Sequence, residues 1–172
     1  MGQPFTHQMR VRYAECDPQG VVFNAHYLAY FDQSLTELWR AAFGSYQAML
    51  DRGVDVVVAE AQLRFRTPAR FDEQLTLAIA VVHLGNTSIV SEHRIDRAGD
   101  LVVEGTLRHV LVERESLSKT PIPDWMRDQL APWTLGEGVA PTLGEGVAPS
   151  LGEGVAPSAA PSSSAPSRAR RR

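Results

Sequence analysis

The sequence predicts an α+β domain, and three observations carry that expectation. One long stretch, from about Ala25 to Phe43, places apolar residues at helical spacing. Four later stretches read as strands, and turn signals at Pro68, Gly85-Asn86 and Ala98-Gly99-Asp100 separate them. One helix followed by a meander of antiparallel strands is the α+β arrangement, because the apolar face of a sheet needs a second layer to cover it.

The first strand is expected between Phe5 and Tyr13, where Met9, Val11 and Tyr13 alternate with Gln8, Arg10 and Arg12. It leads into Asp17-Pro18, a pair that favours a turn because proline fixes its own φ and pushes the preceding residue out of the helical region. Gly20 permits a positive φ, and Val21, Val22 and Phe23 form a short apolar plug before Asn24, which suits a helix N-cap. From there Tyr27, Tyr30, Phe31, Leu35, Leu38 and Ala42 recur at threes and fours, with Leu28 and Trp39 off the stripe. A helix apolar on more than one side is expected to be largely enclosed. It should stop near Gly44, and a short helical piece from Tyr46 to Arg52 should stop at Gly53.

In the β half, Ala59, Ala61, Leu63 and Phe65 alternate with Glu60, Gln62, Arg64 and Arg66, which puts the apolar set on one face. Pro68 ends that strand. Leu75, Leu77, Ile79 and Val81 repeat the pattern, and Gly85-Asn86 turns the chain into Thr87 to Ile95 as a hairpin. The last strand, from Leu101 to about Glu113, carries Val103, Leu107 and Leu111 on one face and Val102, Val110 and Val112 on the other. Pro121 and Pro123 break the sheet before a final helical turn from Trp125 to Leu130.

Residues 1–133 therefore form one domain, and residues 134–172 differ in character. Three octapeptides, LGEGVAPT and two copies of LGEGVAPS, precede AAPSSSAPSRARRR. Units this short and rich in Gly and Pro cannot bury an apolar face, so a disordered tail with a basic C-terminus is expected. That tail holds four arginines against three glutamates, a charge of +1, which leaves −4 of the total −3 on residues 1–133. An acidic body argues against nucleic acid as a partner. No apolar run approaches the ~18 residues of a membrane span, and MGQPFTHQMR lacks the apolar core of a signal peptide, so a cytoplasmic location away from membranes is expected. Cys16 is the only cysteine, which excludes an internal disulfide and argues against a thiolate metal site.

Chemistry concentrates at Asp17, a carboxylate just upstream of a helix N-terminus whose unpaired amides and dipole can hold an oxyanion. The plain alternative is an Asx-turn closed by the Asp17 side chain. Other candidates are weaker. Ser118-Lys119-Thr120 lacks the glycines of a P-loop; His83, His93 and His109 fall in expected strands without metal-ligand spacing; Cys16 has no base placed for it; and no G-x-S-x-G elbow exists. His26 sits in the first helical turn, where a neutral capping-region histidine is the ordinary expectation.

The run D-P-x-G-V-V-F-x-x-x-Y from Asp17 to Tyr27, with the helix continuing through Y-F-D at Tyr30 to Asp32, resembles the hotdog-fold acyl-CoA thioesterases of the 4-hydroxybenzoyl-CoA and YbgC-like branch. LRFRTPARFDEQLTLAIAVVHLGNTSIVSEHRI resembles that family's second to fourth strands, and SLSKTPIPDWM its closing segment. The likeness spans about residues 6–131 and is most specific over 13–32.

The resemblance implies a curled antiparallel sheet wrapped around one long central helix, and hydrolysis of a small or medium acyl- or aroyl-CoA without a separate cofactor, since coenzyme A is part of the substrate. It implies that Asp17 attacks the thioester or activates water, that the amide near Asn24 polarises the carbonyl, that Gly20 and Val21 shape the loop, and that His26 and Tyr27 line the substrate site. YbgC-like relatives often carry histidine where Asn24 stands, which makes His26 the candidate replacement. The turn Leu84 to Thr87 has no positive charge, so CoA phosphates would fall to Arg66, Arg70, Lys119 or another subunit of a homodimer or homotetramer. A non-catalytic acyl-CoA binding module is one alternative. A hotdog hydratase or dehydratase is the other, although its H-F-P-type motif is absent.

Overall fold

A computed structural model of the chain describes residues 2–135, so of the expected tail only Thr134 and Leu135 lie within it. Strand β1 (Phe5–Arg10) is followed by a 3-10 turn at Tyr13–Glu15, helix α1 (Asn24–Phe43) and the short α2 (Tyr46–Leu50). Strands β2 (Val54–Phe65), β3 (Gln74–Leu84), β4 (Ser88–Arg97) and β5 (Asp100–Glu113) follow, then α3 (Asp124–Leu130). The strands form one antiparallel sheet in the order β1-β3-β4-β5-β2.

The turns match their residues. Gly44 and Gly53 stop α1 and α2 at φ +84° and +81°, and Ala98 and Gly99 both take positive φ between β4 and β5, as a tight hairpin requires. Only β3, β4 and β5 form a meander. β2 crosses to the far edge and pairs with β5, from Val54 opposite Glu113 to Phe65 opposite Val103, while β1 takes the place beside β3. Alternation along a strand records which face is apolar, not which neighbour it bonds.

Four expectations need correction. β1 ends at Arg10 and not at Tyr13, because the chain turns there to bury Glu15 and leaves Tyr13 exposed. The N-cap of α1 is Phe23, with no side-chain cap, and Asn24 is the first helical residue. α1 is not enclosed on all sides, since Leu28 is 41% exposed. The apolar face of β2 is not buried either: Ala59, Ala61 and Phe65 are exposed because β2 is an edge strand with no layer of the same chain fully over it.

The core has two parts along α1. Tyr27, Tyr30 and Phe31 pack with Leu75, Leu77, Ile95, Val103 and Leu107, and Leu35, Leu38 and Trp39 pack with Ile79, Val81, Ile89, Leu111 and Met126. Each such side chain contributes about 1.5–3 kcal/mol through burial, so the apolar stripe anchors α1 on the sheet. Among the described residues no helix is long and apolar enough to cross a membrane.

Candidate active site

The loop between β1 and α1 is built on Glu15. Its Oε2 accepts from the Arg12 amide at 2.8 Å and from the Tyr30 hydroxyl at 2.7 Å, and its Oε1 accepts from the Arg12 guanidinium at 2.8 and 2.6 Å. Its backbone carbonyl accepts from the Phe23 amide at 2.9 Å, which ties the start of the loop to the start of α1. Burial pushes the Glu15 carboxyl up, but the Arg12 amide, the Tyr30 hydroxyl and the Arg12 guanidinium together outweigh it and hold the group below the usual carboxylate range. A carboxyl with a lowered folded-state pKa stabilises the fold above its ordinary value of 4.5, and that contribution is lost as the pH falls through the lowered value. Glu15→Gln is therefore expected to flatten the acid limb of stability against pH in urea unfolding; an unchanged limb would count against this account.

Within that frame the Asp17 turn closes on itself. The Asp17 amide donates to the Val21 carbonyl at 2.9 Å, the Gly20 amide to the Asp17 carbonyl at 2.9 Å, and the Gln19 amide to Asp17 Oδ1 at 2.8 Å. The last of these is the Asx-turn, and it leaves the second carboxylate oxygen outside the turn's own bonding. Gly20 takes φ +75°, as the sequence suggests, and a Cβ there would lie 3.9 Å from a terminal nitrogen of Arg70, so the Arg70 guanidinium lies beside the turn. Asp17 is half-buried.

Ala69 locks the neighbouring loop against this one. Its carbonyl accepts from the Val22 amide at 2.8 Å, and its amide donates to the Tyr27 hydroxyl at 3.1 Å. Tyr27 is thereby a buried positioning group, while Asn24 is exposed and His26 packs edge-on against Phe23 at 6.3 Å. Asn24 and Ala25 supply the first amides of α1, which no side chain caps and which point away from the helix as first-turn amides do.

The other expected residues divide. The Arg66 guanidinium is committed to Glu104, at 3.0 and 2.5 Å. Lys119 bridges to Val112, whereas the Arg66 and Thr67 amides bond Val102; those points on β5 are roughly 34 Å apart at about 3.4 Å per residue. Within one chain, then, Gly20 and Val21 lie in the Asp17 turn with Arg70 beside it, Asn24 and His26 follow in the first turn of α1, and Lys119 lies towards the other end of β5. His93 stacks on Phe31 at 4.5 Å and shares a hydrogen bond of 2.9 Å between its Nε2 and the Ser91 hydroxyl, and burial pushes its pKa down to about 3. Sequence reading missed Glu15 and Tyr30. The spacing of Arg12 and Glu15 was a weak signal, but Tyr30 read only as part of the apolar stripe.

The antiparallel sheet packed on one long helix is an arrangement found in solved structures. A solved 1,4-dihydroxy-2-naphthoyl-CoA thioesterase from Synechocystis shares the fold at 19% identity and TM-score 0.68, over 74% of this chain and 96% of that one. A hypothetical protein from Thermus thermophilus is 31% identical at TM-score 0.69, over 74% of this chain and 98% of its own. The chain belongs to the thioesterase-like superfamily, whose sequence profile matches residues 11–130. It is 30% identical over 120 residues to the acyl-CoA thioester hydrolase YbgC of Escherichia coli, covering 69% of this chain and 90% of that relative.

Proposed function

We propose that this chain hydrolyses the thioester of a small or medium acyl- or aroyl-CoA to the free acid and coenzyme A. The observation that carries the reading is the placement of the Asp17 carboxylate in a pinned turn beside the uncapped N-terminus of α1. The thioester carbonyl oxygen would take the Asn24 and Ala25 amides, where the helix dipole stabilises the charge that develops on it. Asp17 then acts either as nucleophile, forming an acyl anhydride that water opens, or as the base that takes a proton from attacking water. Both routes release the thiol, and label from water in the Asp17 carboxylate after a single turnover would identify the nucleophile route with water opening the anhydride at the aspartyl carbon. The family of the chain and the activity named for YbgC support thioester hydrolysis over a binding module or a hydratase.

Arg70 is the basic side chain beside the turn and would meet the phosphates of CoA; His26 and Tyr27 flank the carbonyl site. Coenzyme A enters as part of the substrate and no further cofactor is needed. The sheet would curl around α1 in the hotdog manner, in a cytoplasmic enzyme.

The enzyme is also proposed to be a homo-oligomer. β2 presents a 12-residue free edge with Val57, Val58 and Phe65 at 41%, 53% and 55% exposed, a surface that an isolated chain would expose to edge-to-edge association. Sedimentation velocity at micromolar concentration is expected to give at least twice the chain mass of 18.9 kDa; a monomer would refute this part.

A further inference from the structure

Two tyrosines on one face of α1 hold the two loops of the candidate site. Tyr27 and Tyr30 lie three residues apart, both buried, with their rings edge-on at 5.8 Å. The Tyr27 hydroxyl accepts from the Ala69 amide at 3.1 Å and so reaches the loop that carries Arg70. The Tyr30 hydroxyl donates to Glu15 Oε2 at 2.7 Å and so reaches the loop that carries Asp17. The Val22 amide, bonded to the Ala69 carbonyl at 2.8 Å, joins the two loops to each other.

The Tyr30 bond lies where apolar packing alone would serve. Tyr30 belongs to a core cluster with Phe31, Leu75 and Leu77, and a phenylalanine ring would fill the same space. Burying a hydroxyl and a carboxylate is unfavourable unless they meet each other, so the pair adds little that packing lacks except direction. Apolar burial does not fix an angle, whereas a hydrogen bond to a carboxylate does. Among the described residues Tyr30 is the one α1 side chain that bonds Glu15; the carboxylate's other partners are the amide and guanidinium of Arg12, just past the end of β1. Asp17 follows two residues later, and the Phe23 amide bonds the Glu15 carbonyl at 2.9 Å immediately before the Asn24 and Ala25 amides. Glu15 thus links the reacting carboxylate to the amides that would hold the oxyanion. Burial, then Glu15 itself, pushes the Tyr30 phenol up, while the Arg12 and Tyr30 bonds hold Glu15 below the usual carboxylate range, so donor and acceptor both persist at neutral pH.

We propose that Tyr30, acting through Glu15, is a positioning residue for thioester hydrolysis, and that their bond sets the Asp17 carboxylate against the first amides of α1. The proposal rests on the thioesterase reading and adds a group that works without touching the substrate. Misplacing a reacting group by about 1 Å can lower a rate on the order of 100-fold, and a loop that loses one of several ties is expected to lose about tenfold.

The test is Tyr30→Phe, alone and combined with Asp17→Asn, assayed well below each Tm. Phenylalanine keeps the ring, and Glu15 Oε2 keeps the Arg12 amide at 2.8 Å, so no bare carboxylate is left in the interior and the variant folds. On the best substrate of a panel of short, long and aromatic acyl-CoAs, kcat is expected to fall about tenfold with KM within about twofold. A merely stabilising hydroxyl would lower Tm and leave kcat of the folded protein as it was. In the Asp17→Asn background, at high enzyme concentration, the same change is expected to cost less than about twofold, because no reacting carboxylate is left to position. Unchanged kcat in Tyr30→Phe overturns the proposal, as does an equal proportional loss in both backgrounds. If the wild type hydrolyses no ester of the panel, the thioesterase reading fails separately. In that case, or where Asp17→Asn has no measurable rate, amide hydrogen exchange decides whether Tyr30 holds the Asp17 loop. Tyr30→Phe is then expected to speed exchange at the Asp17 and Phe23 amides about tenfold relative to the ladder amides of β5, and an unchanged ratio overturns the tie.

Discussion

Asp17→Asn is expected to lower kcat for acyl-CoA hydrolysis by about 100- to 10,000-fold, with little change in Tm. The replacement keeps the side-chain oxygen that accepts from the Gln19 amide at 2.8 Å, so the turn and its pinning survive. What disappears is the anionic oxygen that attacks the thioester or takes the proton. The asymmetry is what makes the substitution informative: one Asp17 oxygen holds the turn and the other is left for chemistry. A panel of short, long and aromatic acyl-CoAs, followed by thiol release, reads both the loss and the preferred acyl group. Equal release by variant and wild type would remove Asp17 from the mechanism; release by neither, with acyl-CoA still bound, would favour a binding module.

Gly105→Ala is expected to destabilise the domain by about 3 kcal/mol or more, the upper range for an overpacked core. A Cβ at Gly105 would lie 2.1 Å from the Gln62 carbonyl oxygen and 2.9 Å from Phe31. The first contact is with backbone, which cannot rotate away as a side chain can. β5 would have to part from β2, or α1 would have to lift from the sheet at Phe31, seven residues along from the amide at Asn24. Urea unfolding measures the cost, and a change under about 1 kcal/mol would show that the sheet relaxes there at little expense.

Much of this architecture is legible in local sequence. α1 begins within one residue of the expected start and ends at Phe43 as expected, because six apolar residues at threes and fours and a glycine stop leave few alternatives. The β3–β4 hairpin turns after Leu84, at Gly85-Asn86, and β5 follows Ala98-Gly99. The Asp17 turn forms as Asp-Pro and Gly20 require. These features are decided within a few residues of chain, where φ restrictions and periodicity act directly.

The remainder depends on residues far apart in sequence. Nothing in residues 54–65 indicates that this strand bonds β5 and not β3, or that its apolar face stays open. Arg66 looks free until Glu104, 38 residues on, takes its guanidinium, and Lys119 looks available until β5 carries it to the opposite end of the domain. Glu15 becomes the hub of the loop only because Tyr30 swings its hydroxyl beneath it, and His109 becomes noteworthy only because no partner reaches it. The sequence by itself thus determined the helix, the hairpins, the carboxylate turn and the kinship. Tertiary structure alone decided which charges are spent, which face is left open and where a buried ring goes unpaired, because side-chain periodicity encodes a face and a conformation while pairing is set by what folding brings to meet it.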